Sequence, residues 1–189
     1  MGEIKGESEN RPEILSLDLT NYSTENTAPT IVNLLDSKGV ELPENRDLLG
    51  LGARFAVAEQ DFAELWGSKK ITLVDRHPVV HRYLRREDAQ IVIQDMFEFL
   101  EGKVDRQYGF IICLGVEYSL EAMKISFDNF LQKIDKWLVP RGLLILEPTA
   151  WDWLYREDIE TMRKRGYVDR GGRLSHGSYF LQKLGSPSK

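Results

Sequence analysis

The chain has 189 residues, of which 42% are hydrophobic and 29% charged, and its net charge is −5. This balance suits one folded domain with a sizeable core, and the acidic charge argues against nucleic acid as a partner. No apolar run approaches the ~20 residues of a membrane-spanning helix, and the polar N-terminus lacks the apolar core of a signal peptide. One cysteine, Cys113, cannot form an internal disulfide, so we expect a cytoplasmic protein without a membrane partner.

The sequence predicts an N-terminal arm over residues 1–40 and one main domain over residues 41–189. Residues 1–13 are polar and indicate a disordered start. Apolar residues then alternate in Ile14–Leu19, which is typical of a strand, and a helical pattern follows until Gly39. We expect this strand and helix to form a lid over the main domain.

From Arg46 onward, strands and helices alternate along the chain. Five apolar strands are predicted in the segments RDLLGLG, KKITLVD, AQIVIQD, QYGFIICLG and LLILEP. Four helices are also predicted. The first has an apolar face formed by Phe55, Ala58, Phe62 and Leu65, and the second is a short helix from Pro78 to Leu84. The third is long, is capped by Ser119 and has an apolar face formed by Leu120, Met123, Phe127, Phe130, Ile134 and Trp137, and the fourth has one formed by Leu154, Tyr155, Ile159 and Met162. A turn at Pro140-Arg141-Gly142 precedes the fifth strand, and two final strands, YVDRGGRL and SYFLQKL, form a hairpin.

The continuous apolar segments ITLV, IVI, FIICL and LLIL are typical of parallel strands buried on both faces. Parallel neighbours need crossover helices, which the alternation supplies. We therefore predict an α/β fold: a doubly wound, mostly parallel seven-stranded sheet with a C-terminal antiparallel hairpin, in a three-layer α/β/α sandwich.

Two glycines, Gly50 and Gly52, follow the first strand, where doubly wound sheets bind ligands. A phosphate-binding P-loop is excluded because the segment has no Gly-Lys-Ser/Thr ending. The dinucleotide pattern needs a third glycine where Phe55 stands, which disfavours a nicotinamide-dependent oxidoreductase. An adenosyl ligand without phosphates remains, because it demands less of the helix N-terminus.

Here the sequence resembles the class I, Rossmann-like S-adenosylmethionine-dependent methyltransferases over about residues 44–185. The glycine segment Gly50-Leu51-Gly52 is similar to the loop that lies against the cofactor's methionine part. Asp75 matches the acid that binds the ribose hydroxyls, and Asp95 matches the acid beside the adenine amino group. The resemblance implies S-adenosyl-L-methionine as cofactor, S-adenosyl-L-homocysteine as product, and three further cofactor residues: Arg76, Met96 and Leu114.

The glycine segment departs from the family pattern at two positions. Leu48 stands where the family commonly has an acid, with Asp47 one residue earlier, and Arg54 stands where it has a third glycine. These departures motivate an alternative function, a catalytically inactive methyltransferase-like binding or scaffold protein.

Candidate substrate residues follow the fourth and fifth strands. Glu117 and Tyr118 are candidate catalytic residues, and Glu147, Trp151 and Trp153 could form a wall for a flat or cationic substrate. Histidines 77 and 81 are four residues apart without a further ligand, so no metal site is predicted. The resulting hypothesis is a methyltransferase acting on an unidentified small-molecule or protein acceptor.

Overall fold

In the computed structural model of the protein, the described residues are 33, 35–37, 39–53, 56–78, 83–114, 120, 123–147, 156–170 and 179–184. Within them the chain forms one seven-stranded sheet and the four α-helices whose bounds follow, and residues 33 and 35–37 are also helical. The strands are β1 (Leu48–Leu51), β2 (Ile71–Asp75), β3 (Gln90–Ile93), β4 (Tyr108–Leu114), β5 (Leu138–Glu147), β6 (Tyr167–Asp169) and β7 (Tyr179–Lys183). The helices are α1 (Val57–Leu65), α2 (Met96–Glu101), α3 (Phe127–Trp137) and α4 (Arg156–Lys164).

The order of the strands across the sheet is β3-β2-β1-β4-β5-β7-β6. The pairs that join β1 to β5 are all parallel, whereas β7 is antiparallel to both β5 and β6. The predicted fold class is therefore confirmed, including the antiparallel C-terminal strands. The strand order reverses between β1 and β4, so a ligand crevice is expected at their carboxyl ends.

Two apolar clusters cover the two faces of the sheet. One contains Leu48, Leu73 and Ile112 from the strands and packs against α1. The other contains alternate strand residues, such as Leu49 and Ile111, and packs against α2, α3 and α4. Because successive strand residues point to opposite faces of the sheet, the same strands contribute apolar side chains to the helices on both faces.

The predicted long helix from Ser119 to Trp137 is wrong, because the chain leaves helical geometry before α3. Lys124 has φ 53°, in the left-handed region, and Ser126 then caps α3 by accepting a hydrogen bond from Asn129 N at 3.2 Å. Met123 is consequently 47% exposed instead of facing the core. The rest of the predicted apolar face is correct, with Phe127, Phe130, Ile134 and Trp137 buried.

Three further predictions need correction. The segment IVI is not buried on both faces, because β3 is an edge strand and its Ile93 is 47% exposed. The predicted turn at residues 140–142 lies inside β5, where Arg141 has φ 65° and the pairing with β4 shifts register. Leu65 on α1 is 46% exposed although its spacing placed it on the apolar face.

The described residues that precede β1 contact the main domain. Leu35 and Val40 are buried in the α1-side cluster, and Gln182 Nε2 of β7 donates to the Glu41 carbonyl at 3.1 Å. The division at residue 40 stays a prediction, and the predicted strand Ile14–Leu19 lies outside the described residues. Within those residues, no helix combines the length and apolar character needed to cross a membrane.

Candidate functional site

The residues predicted to bind the cofactor lie along one edge of the sheet. Leu51 at the end of β1 is in register with Val74 of β2, and Asp75 at the end of β2 is in register with Ile93 of β3. Gly52 and Asp95 follow the same ends of β1 and β3. Adjacent strands are about 4.8 Å apart, so the glycine segment, Asp75 and Asp95 occupy neighbouring positions on this carboxyl edge.

Gly52 turns the chain sharply at the end of β1. Its φ is 70°, a left-handed conformation that glycine adopts without steric cost, and its N–H donates to the Val74 carbonyl at 2.9 Å. Helix α1 begins shortly afterwards, and its N-cap residue, Ala56, makes no side-chain cap hydrogen bond. The first N–H groups of a helix have no partner within the helix, so this terminus can donate to a ligand.

Asp75 presents a carboxyl group at the end of the buried strand β2. The residue is 7% exposed, and its Oδ1 accepts a hydrogen bond from the His77 N–H at 2.7 Å. This local bond orients the carboxyl group, because it couples the side chain to the turn that follows the strand. Arg76 is exposed in that turn and its Nε donates to His77 Nε2 at 3.3 Å.

Asp95 is the N-cap of α2, a helix that the sequence analysis did not predict. Its Oδ1 accepts from the Phe97 N–H at 2.8 Å, which satisfies one of the helix's unpaired donors. The bond uses one carboxylate oxygen, so capping and ligand binding are compatible. Met96 is 7% exposed and belongs to the core cluster beside α2, so its packing against a cofactor stays a prediction.

Glu59 is a fully buried carboxyl group that sequence reasoning missed. It lies on the side of α1 that faces Gly50, where a Cβ would come within 2.7 Å of Glu59 Cγ and 3.1 Å of Leu73 Cδ2. Gly50 thus makes room for the Glu59 side chain against β1. The sequence signal was present but weak: an acid one helical turn before Phe62, on a helix that follows two glycines.

Gln60, also missed, fixes the segment that follows Asp75 onto α1. Its Nε2 donates to the carbonyls of Ala56 at 2.8 Å and Tyr83 at 3.1 Å, while its Oε1 accepts from the N–H groups of Arg85 at 2.6 Å and Arg86 at 3.2 Å. The side chain is 2% exposed and is bonded on both of its polar atoms. This amide therefore holds residues 83–86 against α1.

The two residues near the family's acidic position have structural roles. Leu48 is fully buried in the α1-side cluster. Asp47 precedes β1, at the amino edge of the sheet, and its carbonyl accepts from the N–H groups of Gly109 and Phe110. A strand advances about 3.3 Å per residue, so Asp47 is separated from Gly52 by the length of β1.

At the ends of β4 and β5, the structure places a predicted cofactor residue next to a predicted substrate residue. Leu114 and Glu147 are register partners at the carboxyl ends of β4 and β5. Glu117, Tyr118, Trp151 and Trp153 lie outside the described residues, as does Arg54. Their predicted roles therefore stay predictions.

Two other observations bear on the chemistry of the region. Within the described ranges, no group of three His, Cys, Asp or Glu side chains is arranged to hold a metal ion. Cys113 on β4 is fully buried, and burial, together with the charge of Glu59, raises the pKa of its thiol far above the usual value. It is therefore unsuited to act as a thiolate nucleophile.

Comparison with solved structures identifies the fold. The N-methyltransferase NodS from Bradyrhizobium japonicum WM9 matches with a TM-score of 0.60 and 16% identity over 87% of this chain and 98% of NodS. CalS10, an amino pentose methyltransferase from Micromonospora echinaspora solved with S-adenosylmethionine bound, matches with a TM-score of 0.62 and 11% identity over 97% of this chain and all of CalS10. The chain has the class I methyltransferase fold.

A third structure of this methyltransferase fold is DesVI from Streptomyces venezuelae, with a TM-score of 0.61 and 12% identity over 93% of this chain and 100% of DesVI. NodS has also been solved in complex with S-adenosylhomocysteine, and that structure covers 91% of this chain at a TM-score of 0.59. No protein-family model matches the chain, and the comparison with curated proteins found no relative. The similarity is thus one of fold, at low sequence identity.

Proposed function

We propose that the protein is an S-adenosylmethionine-dependent methyltransferase. The observation that carries the proposal is the order of Gly52, Asp75 and Asp95 along the carboxyl edge of β1, β2 and β3, on a sheet with the methyltransferase strand order. These residues present a tight glycine turn and two carboxyl groups at the carboxyl edge of the sheet, the edge at which doubly wound sheets bind ligands.

The residues at this edge fit the cofactor chemically. Asp75 can accept the hydrogen bonds of a ribose diol, because an ionised carboxylate is acceptor-only. The N-terminus of α1, which lacks a side-chain cap, can donate N–H groups to the cofactor's carboxylate. Asp95 retains one carboxylate oxygen for the adenine amino group while the other caps α2. When bound, S-adenosylmethionine would supply an electrophilic methyl group to an acceptor nitrogen or oxygen.

The acceptor would approach from the ends of β4 and β5. Leu114 and Glu147 meet there, and the predicted substrate residues Glu117, Tyr118, Trp151 and Trp153 follow these two strands in the chain. We propose a small-molecule or protein acceptor. NodS is an N-methyltransferase and CalS10 an amino pentose methyltransferase, so small amines are the first acceptor class to test.

The sharpest test of the assignment uses two substitutions of Asp75. Asp75→Asn retains the acceptor for the His77 N–H but loses the charge, whereas Asp75→Ala loses both. We expect Asp75→Ala to weaken S-adenosylmethionine binding by about 1–3 kcal/mol in calorimetry, with a smaller loss for Asp75→Asn. Asp88→Asn is the matched control, because Asp88 is exposed and paired with Arg86. Unchanged affinity in Asp75→Ala would contradict the ribose assignment.

A second candidate function is a methyltransferase-like binding protein without catalysis. Leu48 favours it, because this buried aliphatic side chain cannot replace the acid that the family commonly has there. The two functions differ in turnover. A methyltransferase converts S-adenosylmethionine to S-adenosylhomocysteine when a small-amine acceptor is supplied, whereas a binding protein holds the cofactor unchanged.

A further inference from the structure

The described part of the chain contains a cleft of about 200 Å³ at the amino edge of the sheet. Thr72 of β2, Gln90 of β3 and Tyr108 of β4 line it, and each is the first or second residue of its strand. Gly52 and Asp75 lie at the opposite, carboxyl ends of the strands. The polar residues at these strand starts therefore lie a strand length from the candidate cofactor site, although the cleft also extends along α2 to Gln94, the residue before Asp95.

Arg106 is fixed in this cleft by neutral hydrogen-bond partners. Its Nε donates to Tyr108 Oη at 2.9 Å, and its Nη2 donates to Thr72 Oγ1 at 2.5 Å and to Gln90 Oε1 at 2.9 Å. Thr72 and Tyr108 are each 1% exposed and are joined by a bond of 3.1 Å from the tyrosine hydroxyl to the threonine oxygen. Two buried hydroxyl groups that are bonded to each other therefore hold the half-buried guanidinium in place.

The positive charge of Arg106 is not neutralised by a carboxylate of the described chain. The ion pairs formed by the described residues do not include it, and the three bonds of the guanidinium leave Nη1 unused. Lys103 lines the same cleft and adds a second cation. Glu98 and Asp105 also line it, but both are exposed, so solvent screens their charges.

An aromatic pair forms an apolar wall of the cleft. The rings of Phe99 and Trp137 are stacked with centroids 4.7 Å apart, and both residues line the cleft. The Trp137 Nε1–H donates to the Leu100 carbonyl at 3.1 Å, which fixes the orientation of the indole. A fixed cation beside an aromatic wall matches a ligand that has an oxyanion on a small body.

We propose that this cleft binds a small oxyanion-bearing ligand, a carboxylate or a phosphate, and that Arg106 holds the oxyanion. Nη1 of Arg106, which the three hydrogen bonds of the guanidinium leave unused, can donate charge-assisted hydrogen bonds to either group, and an arginine that is already fixed loses little side-chain entropy on binding. The site is independent of the proposed cofactor, because it uses none of the same residues.

Titration of the labelled wild-type protein by NMR tests the proposal, with benzoate as the carboxylate probe and inorganic phosphate as the phosphate probe. We expect the amide signals of Thr72, Gln90 and Lys103 to shift with at least one probe, while those of Gly52 and Asp75 stay in place. The probe that binds shows whether the cleft prefers a carboxylate or a phosphate. Shifts concentrated at Gly52 and Asp75, or no shift with either probe at about 10 mM, would overturn the proposal.

Two substitutions test the role of Arg106 itself. Arg106→Gln should weaken binding about tenfold or more, the effect of losing a charge-assisted hydrogen bond. Lys103→Ala, at an exposed position, should weaken it less and keeps the test valid if Arg106→Gln does not fold. Arg141→Gln is the matched control, because Arg141 is exposed and paired with Glu41 elsewhere. Binding that persists unchanged in Arg106→Gln, or in Lys103→Ala where only that variant folds, would refute the assignment.

Discussion

Glu59 of α1 packs directly against Gly50 of β1, close enough that a Cβ on residue 50 would lie 2.7 Å from Glu59 Cγ. The first glycine of the loop segment therefore has a packing role in addition to any role toward a ligand. It lets a helix carrying a buried carboxyl group approach the strand that ends at the candidate site.

Gly50→Ala is expected to destabilise the protein by about 1–3 kcal/mol, the usual cost of adding a methyl group to a filled space. The cost should shrink in a Glu59→Ala background and persist in Glu59→Gln, because the conflict is with the side chain's volume and not with its charge. Urea denaturation of the parent, the three single variants and the two double variants measures the coupling. An equal cost of Gly50→Ala in all backgrounds would show that Glu59 is not the obstacle.

Asp95 combines a helix cap with a proposed cofactor contact, and two substitutions separate these roles. Asp95→Ala should lose about 1 kcal/mol of stability because the Phe97 N–H loses its acceptor. Asp95→Ser keeps a capping oxygen, so it should retain stability while weakening S-adenosylmethionine binding. Denaturation and calorimetry on the same samples make the comparison. If Asp95→Ser binds the cofactor as tightly as the parent, Asp95 serves only as a cap.

Tyr167 is expected to make the free energy of unfolding decrease at alkaline pH. Burial, followed by the charge of Asp135, raises the pKa of its phenol above the usual value, and its hydroxyl donates to Asp135 Oδ1 at 2.8 Å. A pKa raised by folding contributes stability that is fully present below the unfolded value of about 10 and is lost as pH rises above it. Free energies of unfolding at pH 8 to 11 should therefore fall less steeply in Tyr167→Phe. Tyr83→Phe, at an exposed ring, is the control and should keep the parent's slope.

The strands could be predicted from the sequence because each is a short apolar run bounded by polar or glycine residues. The errors have local physical causes. The face of α1 was misassigned because periodicity places Leu65 inside and Glu59 outside, whereas the bare backbone of Gly50 admits Glu59. The predicted long helix is interrupted at Lys124, which has a left-handed backbone conformation. This interruption could not be predicted because the position holds neither glycine nor asparagine, the residues that usually adopt that conformation.

The candidate site was predictable only in part. Asp75 and Asp95 could be placed because each ends a predicted strand, and parallel strands bring their carboxyl ends to one edge. The helix that Asp95 caps was missed because α2 has only six residues, too few for a periodic pattern. Gln60 gave no signal, since three of its four hydrogen-bond partners are backbone groups more than 20 residues away in the chain.

The central claim, that the carboxyl edge of β1 to β3 binds an adenosyl cofactor, is tested most directly by calorimetry on the wild-type protein. S-adenosylmethionine and S-adenosylhomocysteine are titrated in parallel, with NADH as the comparison ligand. The proposal predicts saturable binding of both adenosyl ligands and none of NADH. Absence of binding by either adenosyl ligand at millimolar concentration, in protein shown to be folded, would contradict it.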